Sequence, residues 1–110
     1  MFEIRTYTLA SDEALQRYAS IHWTRHIASL ALFGIETRHV WKQVETDKPR
    51  LIALVKYSDG VDPREVTARY MASAEFNADM DGFPMADIVS VTSTFVTPGP
   101  ADPSCQSSER

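Results

Sequence analysis

Polar and apolar residues alternate from the start of this chain. Phe2, Ile4 and Thr6 fall on one side of an extended backbone; Glu3, Arg5 and Tyr7 fall on the other. That period of two, rich in β-branched and aromatic residues, predicts a strand over Met1–Leu9. The period then changes. Leu15, Tyr18, Ala19, His22, His26, Leu30 and Phe33 recur at steps of three and four, the stripe of an amphipathic helix over Asp12–Leu32. Ser11 suits the N-cap, Asp12 and Glu13 suit the positive end, and Gly34 supplies a left-handed exit.

Alternation returns over Ile35–Glu45, with Ile35, Thr37, His39, Trp41 and Gln43 on one face. A polar turn over Thr46–Pro49 leads to Leu51–Tyr57, apolar enough to predict a strand covered on both faces. Asp62 caps a helix that has Pro63 in its first position. Ser73 caps a shorter one over Ala74–Asp81, with Phe76 and Met80 one turn apart, and Gly82 and Pro84 stop it. Ile88–Thr97, rich in Val, Thr, Ile and Phe, is the last strand.

The order β-α-β-β-α-β predicts an α+β, ferredoxin-like domain: a four-stranded antiparallel sheet with its helices on one face. It spans residues 1–97, and the Pro- and Ser-rich segment 98–110 reads as a disordered tail. The face away from the helices, carrying Tyr7 or Trp41 according to register, needs cover. The simplest cover is a second copy, giving a homodimer through the sheet face.

Composition works mainly by exclusion. The 110 residues suffice for one core, and the net charge of −4 comes without any block of Lys or Arg. That argues against a nucleic-acid partner. No apolar run approaches membrane length, and the opening residues lack a basic-then-apolar layout; the expected setting is cytoplasmic, without a membrane partner. Cys105 is the single cysteine, so there is no internal disulfide and no redox pair. Gly-rich phosphate loops are absent as well.

The polar exceptions on the long apolar stripe are His22 and His26, one helical turn apart. An imidazole pair suits acid–base chemistry near neutral pH. The alternative is two buried structural histidines bonded to hydroxyls or carbonyls. A metal site is not expected: HxxxH gives two ligands, and a third, from His39 or Glu36, depends on strand register. No feature demands haem, and no cofactor is expected. Tyr18, one turn before His22, is the candidate hydroxyl donor. Tyr7, Trp23, His39, Trp41, Phe76 and Met80 are candidate substrate-binding residues, each with core or interface packing as its alternative role. Arg5 and Arg38 either hold a substrate carboxylate or pair with a cross-strand Glu.

Four segments resemble the NIPSNAP family of the dimeric α/β-barrel superfamily. They are Phe2–Leu9, His22-Trp23-Thr24-Arg25-His26, Phe33-Gly34-Ile35 and Ser73–Phe83. The resemblance implies two ferredoxin-like protomers forming a barrel from two sheets, helices outside, with a pocket inside each protomer between helices and sheet. It implies no single reaction. Related groups include cofactor-free monooxygenases, polyketide cyclases, lactone isomerases and haem-dependent enzymes, so the link to function is analogy. The resulting expectation is a small cofactor-independent enzyme of isomerase, cyclase or lyase type. His22, His26 and Tyr18 would act on a small apolar, carbonyl-bearing molecule, polyketide-like or aromatic. The alternatives are a cofactor-free monooxygenase and a non-catalytic dimer that binds a small ligand or a partner protein.

Overall fold

The computed structural model describes residues 1–103; residues 104–110, with Cys105 and the end of the expected tail, lie outside the described residues. Four strands, β1 (Phe2–Leu9), β2 (Ile35–Lys42), β3 (Arg50–Tyr57) and β4 (Ile88–Val96), form one antiparallel sheet in the order β2-β3-β1-β4. The helices lie on one face, as the ferredoxin-like pattern requires. α1 (Asp12–Arg17), a π-helical turn (Tyr18–His22) and α2 (Trp23–Leu32) follow one another with helical backbone throughout. α3 (Pro63–Met71) and α4 (Ala74–Asp79) form the second helical unit.

Local chemistry explains the boundaries. The side chains of Ser11, Asp62 and Ser73 accept from the backbone N–H of Ala14, Arg64 and Phe76, at 3.0, 3.0 and 3.1 Å. Each satisfies an N–H that has no partner within its own helix. Gly34 leaves α2 at φ 78°, a region that costs side chains about 1–2 kcal/mol. β2 stops at Lys42, short of the expected Glu45, because the chain turns there: the Gln43 N–H already bonds the Arg50 carbonyl at 3.0 Å.

Two departures from simple periodicity matter for the site. The Trp23 N–H bonds back to the Tyr18 carbonyl, five residues away, so the helix holds one extra residue here. The extra residue turns both His22 and Trp23 inward, although neighbours on a regular helix stand about 100° apart. The second departure is a bulge in β2 between Thr37 and His39. Ile35 and Thr37 pair with Tyr57 and Val55 on the helix side, whereas His39 and Trp41 pair with Leu54 and Ile52 on the opposite side. The single face expected for Ile35, Thr37, His39 and Trp41 is therefore split in two, since one extra residue exchanges the faces.

The core lies between helices and sheet: Leu9, Leu51, Ala53, Val55 and Tyr57 from the strands, Leu15, Leu30 and Val66 from the helices. β1 sets Glu3, Arg5, Tyr7 and Leu9 on this covered face and Phe2, Ile4, Thr6 and Thr8 on the other. Tyr7 thus belongs to the interior and Trp41, at 51% exposure, to the open face. Within one protomer β3 is buried on the helix side, and Ile52 and Leu54 are half-buried on the open face.

Candidate functional site

Near β4 the helices stand off from the sheet and leave a cavity of about 440 Å³. Tyr7, Tyr18, Trp23 and Leu30 form one wall, Thr67, Tyr70 and Phe76 another, and Arg5 and Ser93 come up from the sheet. Met71, Met85 and Val91, each about half exposed, stand at its rim. Tyr18 packs edge-on against Tyr7, Trp23 and His26, with centroids 5.3, 6.3 and 6.0 Å away.

His26 lies in this wall and is 3% exposed. Its Nδ1 makes a short contact with the Tyr70 hydroxyl, which stands 2.5 Å from Asp79 Oδ2. A phenol has one hydrogen, and Tyr70 gives it to the carboxyl oxygen. The His26–Tyr70 bond must therefore be donated by Nδ1–H. The tautomer follows: Nε2 carries the lone pair, and it makes no hydrogen bond among the described residues. Ser29 donates to the other carboxyl oxygen, Asp79 Oδ1, at 2.9 Å. Burial holds His26 down at about 4, against the opposing pull of Asp79, so the ring is neutral at neutral pH. Burial pushes the phenols of Tyr18 and Tyr70 up, with Tyr7 reinforcing it at Tyr18 and Asp79 at Tyr70. Both are proton donors.

His22 does not join this wall. Its Nδ1–H donates to the Asp79 backbone carbonyl at 2.8 Å, and its ring packs edge-on against Phe83 at 4.9 Å. Arg25 donates to the carbonyls of Asp79 and Asp81 at 3.3 and 3.1 Å, and Arg17 to that of Gly82 at 2.8 Å. His22 thus belongs to a clamp on the turn that holds Asp79. The expected imidazole pair divides into one ring at the cavity and one that positions its support.

The other expected residues divide too. Tyr7, Tyr18, Trp23, Phe76 and Met80 come together at the cavity. His39 and Trp41 do not: they stack on each other at 4.4 Å on the open face. Among the described residues no group of three His, Cys, Asp or Glu side chains is placed to hold a metal ion.

Beneath the cavity is a buried network that cross-strand reasoning missed. Arg5 Nε donates to Glu3 Oε1 at 2.8 Å, a partner two residues away on the same strand face rather than across the sheet. Arg5 Nη2 donates to the Tyr57 hydroxyl at 2.7 Å and the Thr67 hydroxyl at 3.3 Å; Tyr57 donates to Glu3 at 2.5 Å. Burial opposes the Glu3 charge, but hydrogen bonds from Ser93 and Tyr57 and the Arg5 charge hold its carboxyl below the ordinary range. Tyr70 and Asp79 were also missed. Asp79 had a legible signal, an acidic residue in the last turn of a helix, where the dipole disfavours it.

No protein-family model matches the sequence, and no curated protein matches it. Solved structures do share the fold. An uncharacterized NIPSNAP domain protein from Burkholderia xenovorans is 17% identical, covers 93% of this chain and 97% of its own, and has a TM-score of 0.73. A protein from Agrobacterium tumefaciens is 19% identical, with 93% and 96% covered and a TM-score of 0.73. An antibiotic biosynthesis monooxygenase is 11% identical, with 89% and 100% covered and a TM-score of 0.53. At such identities the likeness is one of fold, and at that level the resemblance to NIPSNAP domain proteins holds.

Proposed function

From a NIPSNAP-like fold with an occupied core and a cavity beside it, we propose that this chain is a small cofactor-independent enzyme. It enolises a small, largely apolar, carbonyl-bearing molecule within each protomer. One observation carries the reading: His26, its tautomer fixed by Tyr70 and Asp79, leaves Nε2 without a protein partner at the wall of a largely apolar cavity.

The chemistry follows from the parts. Nε2 takes a proton from the carbon next to the carbonyl. The C–H electron pair moves onto the carbonyl oxygen, where the protonated Tyr18 phenol donates to the forming enolate. The imidazolium that results lies 3.4 Å from Asp79 Oδ2, so the carboxyl group supports the charge as it appears. Returning the proton to another carbon isomerises the molecule; attack by the enolate carbon on a second carbonyl cyclises it. His22 acts through Asp79 as a positioning residue. The fold likeness to a monooxygenase supports a second reading, in which the same enolate meets dioxygen instead. A second copy covering the open face, at His39 and Trp41, belongs to the same proposal.

Deuterium uptake tests it. Solvent deuterium should enter the acidic position of benzoylacetone faster with the protein than without it, followed by NMR. His26→Gln should lose about 10²–10⁴-fold of that acceleration, the usual share of general base catalysis. A folded His26→Gln protein exchanging as fast as wild type would end the acid–base reading.

A further inference from the structure

Hydrogen-bonding groups are unevenly distributed around the cavity. Arg5 is 7% exposed and lies in its wall, with Nε and Nη2 engaged. Its Nη1 has no partner among the described residues, yet it is not one of the sealed unpartnered atoms, which are Trp23 Nε1 and Thr37 Oγ1. Nη1 is therefore an unengaged cationic donor that is not fully sealed, on a buried residue that lines the cavity. Tyr18 and Tyr7 add phenols to the same wall, whereas the hydroxyl hydrogens of Thr67 and Ser93, which also line it, are taken by Tyr57 and Glu3. Against these donors stands one bare acceptor nitrogen, His26 Nε2. Such a wall selects a ligand that presents acceptor oxygens and one acidic hydrogen.

We propose that Arg5 is the anchor of this site: Nη1 binds the carbonyl oxygen of a neutral β-dicarbonyl compound and excludes carboxylates. The proposal rests on the enolisation reading above and adds the substrate class and the residue that selects it. Neutrality follows from charge. Arg5 is already paired with Glu3 at 2.8 Å, and Asp79 is buried 3.4 Å from the His26 ring. A carboxylate entering here would bring a charge with no free counterpart, and the cost of taking it out of water would go uncompensated. A neutral dicarbonyl brings none. Proton transfer then moves one proton from carbon to His26 and one electron pair from the C–H bond to oxygen, so the total charge of the site is constant. The two charges that form offset each other: the imidazolium arises beside Asp79, and the enolate oxygen accepts a hydrogen bond from Arg5, whose own charge Glu3 already balances. A second carbonyl lowers the acidity barrier that so weak a base as His26 would otherwise face.

The test uses benzoylacetone, butylbenzene and benzoate with the full chain. Binding is read by quenching of Trp23, and enolate formation by the ultraviolet band of the diketone. Wild type should bind benzoylacetone at least about tenfold more tightly than butylbenzene and benzoate. It should also raise the enolate fraction of bound diketone at a fixed pH. Glu3→Gln combined with Arg5→Met, which removes both charges together, should abolish that rise and weaken binding about tenfold or more. Arg5→Lys keeps the ion pair but loses the forked geometry and should fall between. Benzoate binding more tightly than benzoylacetone to wild type would overturn the proposal without any variant. Equal diketone binding and equal enolate fraction in wild type and the charge-free double variant would overturn the Arg5 anchor while leaving His26 chemistry standing. No binding of either diketone or hydrocarbon to wild type would end both readings.

Discussion

Acid should loosen this fold through one ring. His26 is held at about 4, against about 6.5 when the chain is unfolded. A buried ring kept neutral must take up a proton as the chain unfolds in acid. The unfolded state therefore binds more protons between these values, and stability rises with pH across that window. The contribution is fully present above about pH 6.5 and is lost as pH falls toward 4. With 1.36 kcal/mol for each tenfold change in proton affinity, the loss is about 2 kcal/mol by pH 5 and about 3 kcal/mol at its limit. The groups facing the ring are Asp79 from α4, Tyr70 from α3, Arg5 from β1 and His22 from its own helix; burial outweighs the attraction of Asp79. Glu3 acts in the same sense at lower pH, because its carboxyl lies below the ordinary range and its contribution goes only in stronger acid. Urea unfolding followed by Trp23 and Trp41 fluorescence, from about pH 7.5 to about pH 5, measures the whole effect. His26→Gln can still donate to Tyr70 but cannot titrate, so its stability should fall by about 2 kcal/mol less over that range. An NMR titration of the ring reports its pKa directly. Parallel stability curves for the two proteins, or a His26 ring titrating near 6.5 in the folded state, would refute the account.

Tyr70→Phe removes the hydroxyl shared by His26 Nδ1–H and Asp79 Oδ2 and leaves two buried groups without it. The expected loss is about 2–4 kcal/mol by urea midpoint, and a loss below about 0.5 kcal/mol would show that the relay is not intact. Trp41→Glu places a charge on the open sheet face. If a second copy covers that face, sedimentation equilibrium should show wild-type dimers and variant monomers at the same concentration, with unchanged circular dichroism.

The architecture was legible because caps and periods are local. Ser11, Asp62, Ser73 and Gly34 mark helix ends through bonds made within three residues of themselves, and the apolar stripe fixed which side of the long helix turns inward. His26 and Tyr18 were legible as polar groups on that stripe. What escaped depended on one-residue insertions or on distant partners. The π-helical turn is invisible to a steady period, so His22 looked equivalent to His26, and the β2 bulge hid the separation of Trp41 from Tyr7. Tyr70 and Asp79 meet His26 from 44 and 53 residues away along the chain, and no spacing rule connects them.

The first strand has one further consequence. It carries Glu3 and Arg5 beneath the helices and Phe2 and Ile4 outside. A slip of one position against its neighbours would reverse every side chain and send the greasier pair inward. Oiliness by itself would not forbid that mistake near the amino-terminal end. A slip would break the bonds from the Arg5 guanidinium to the Tyr57 phenol and the Thr67 hydroxyl, although its pairing with Glu3, on the same strand, would travel with it. If the buried charges key the strand in this way, a mutant stripped of them is where misaligned molecules should first be sought.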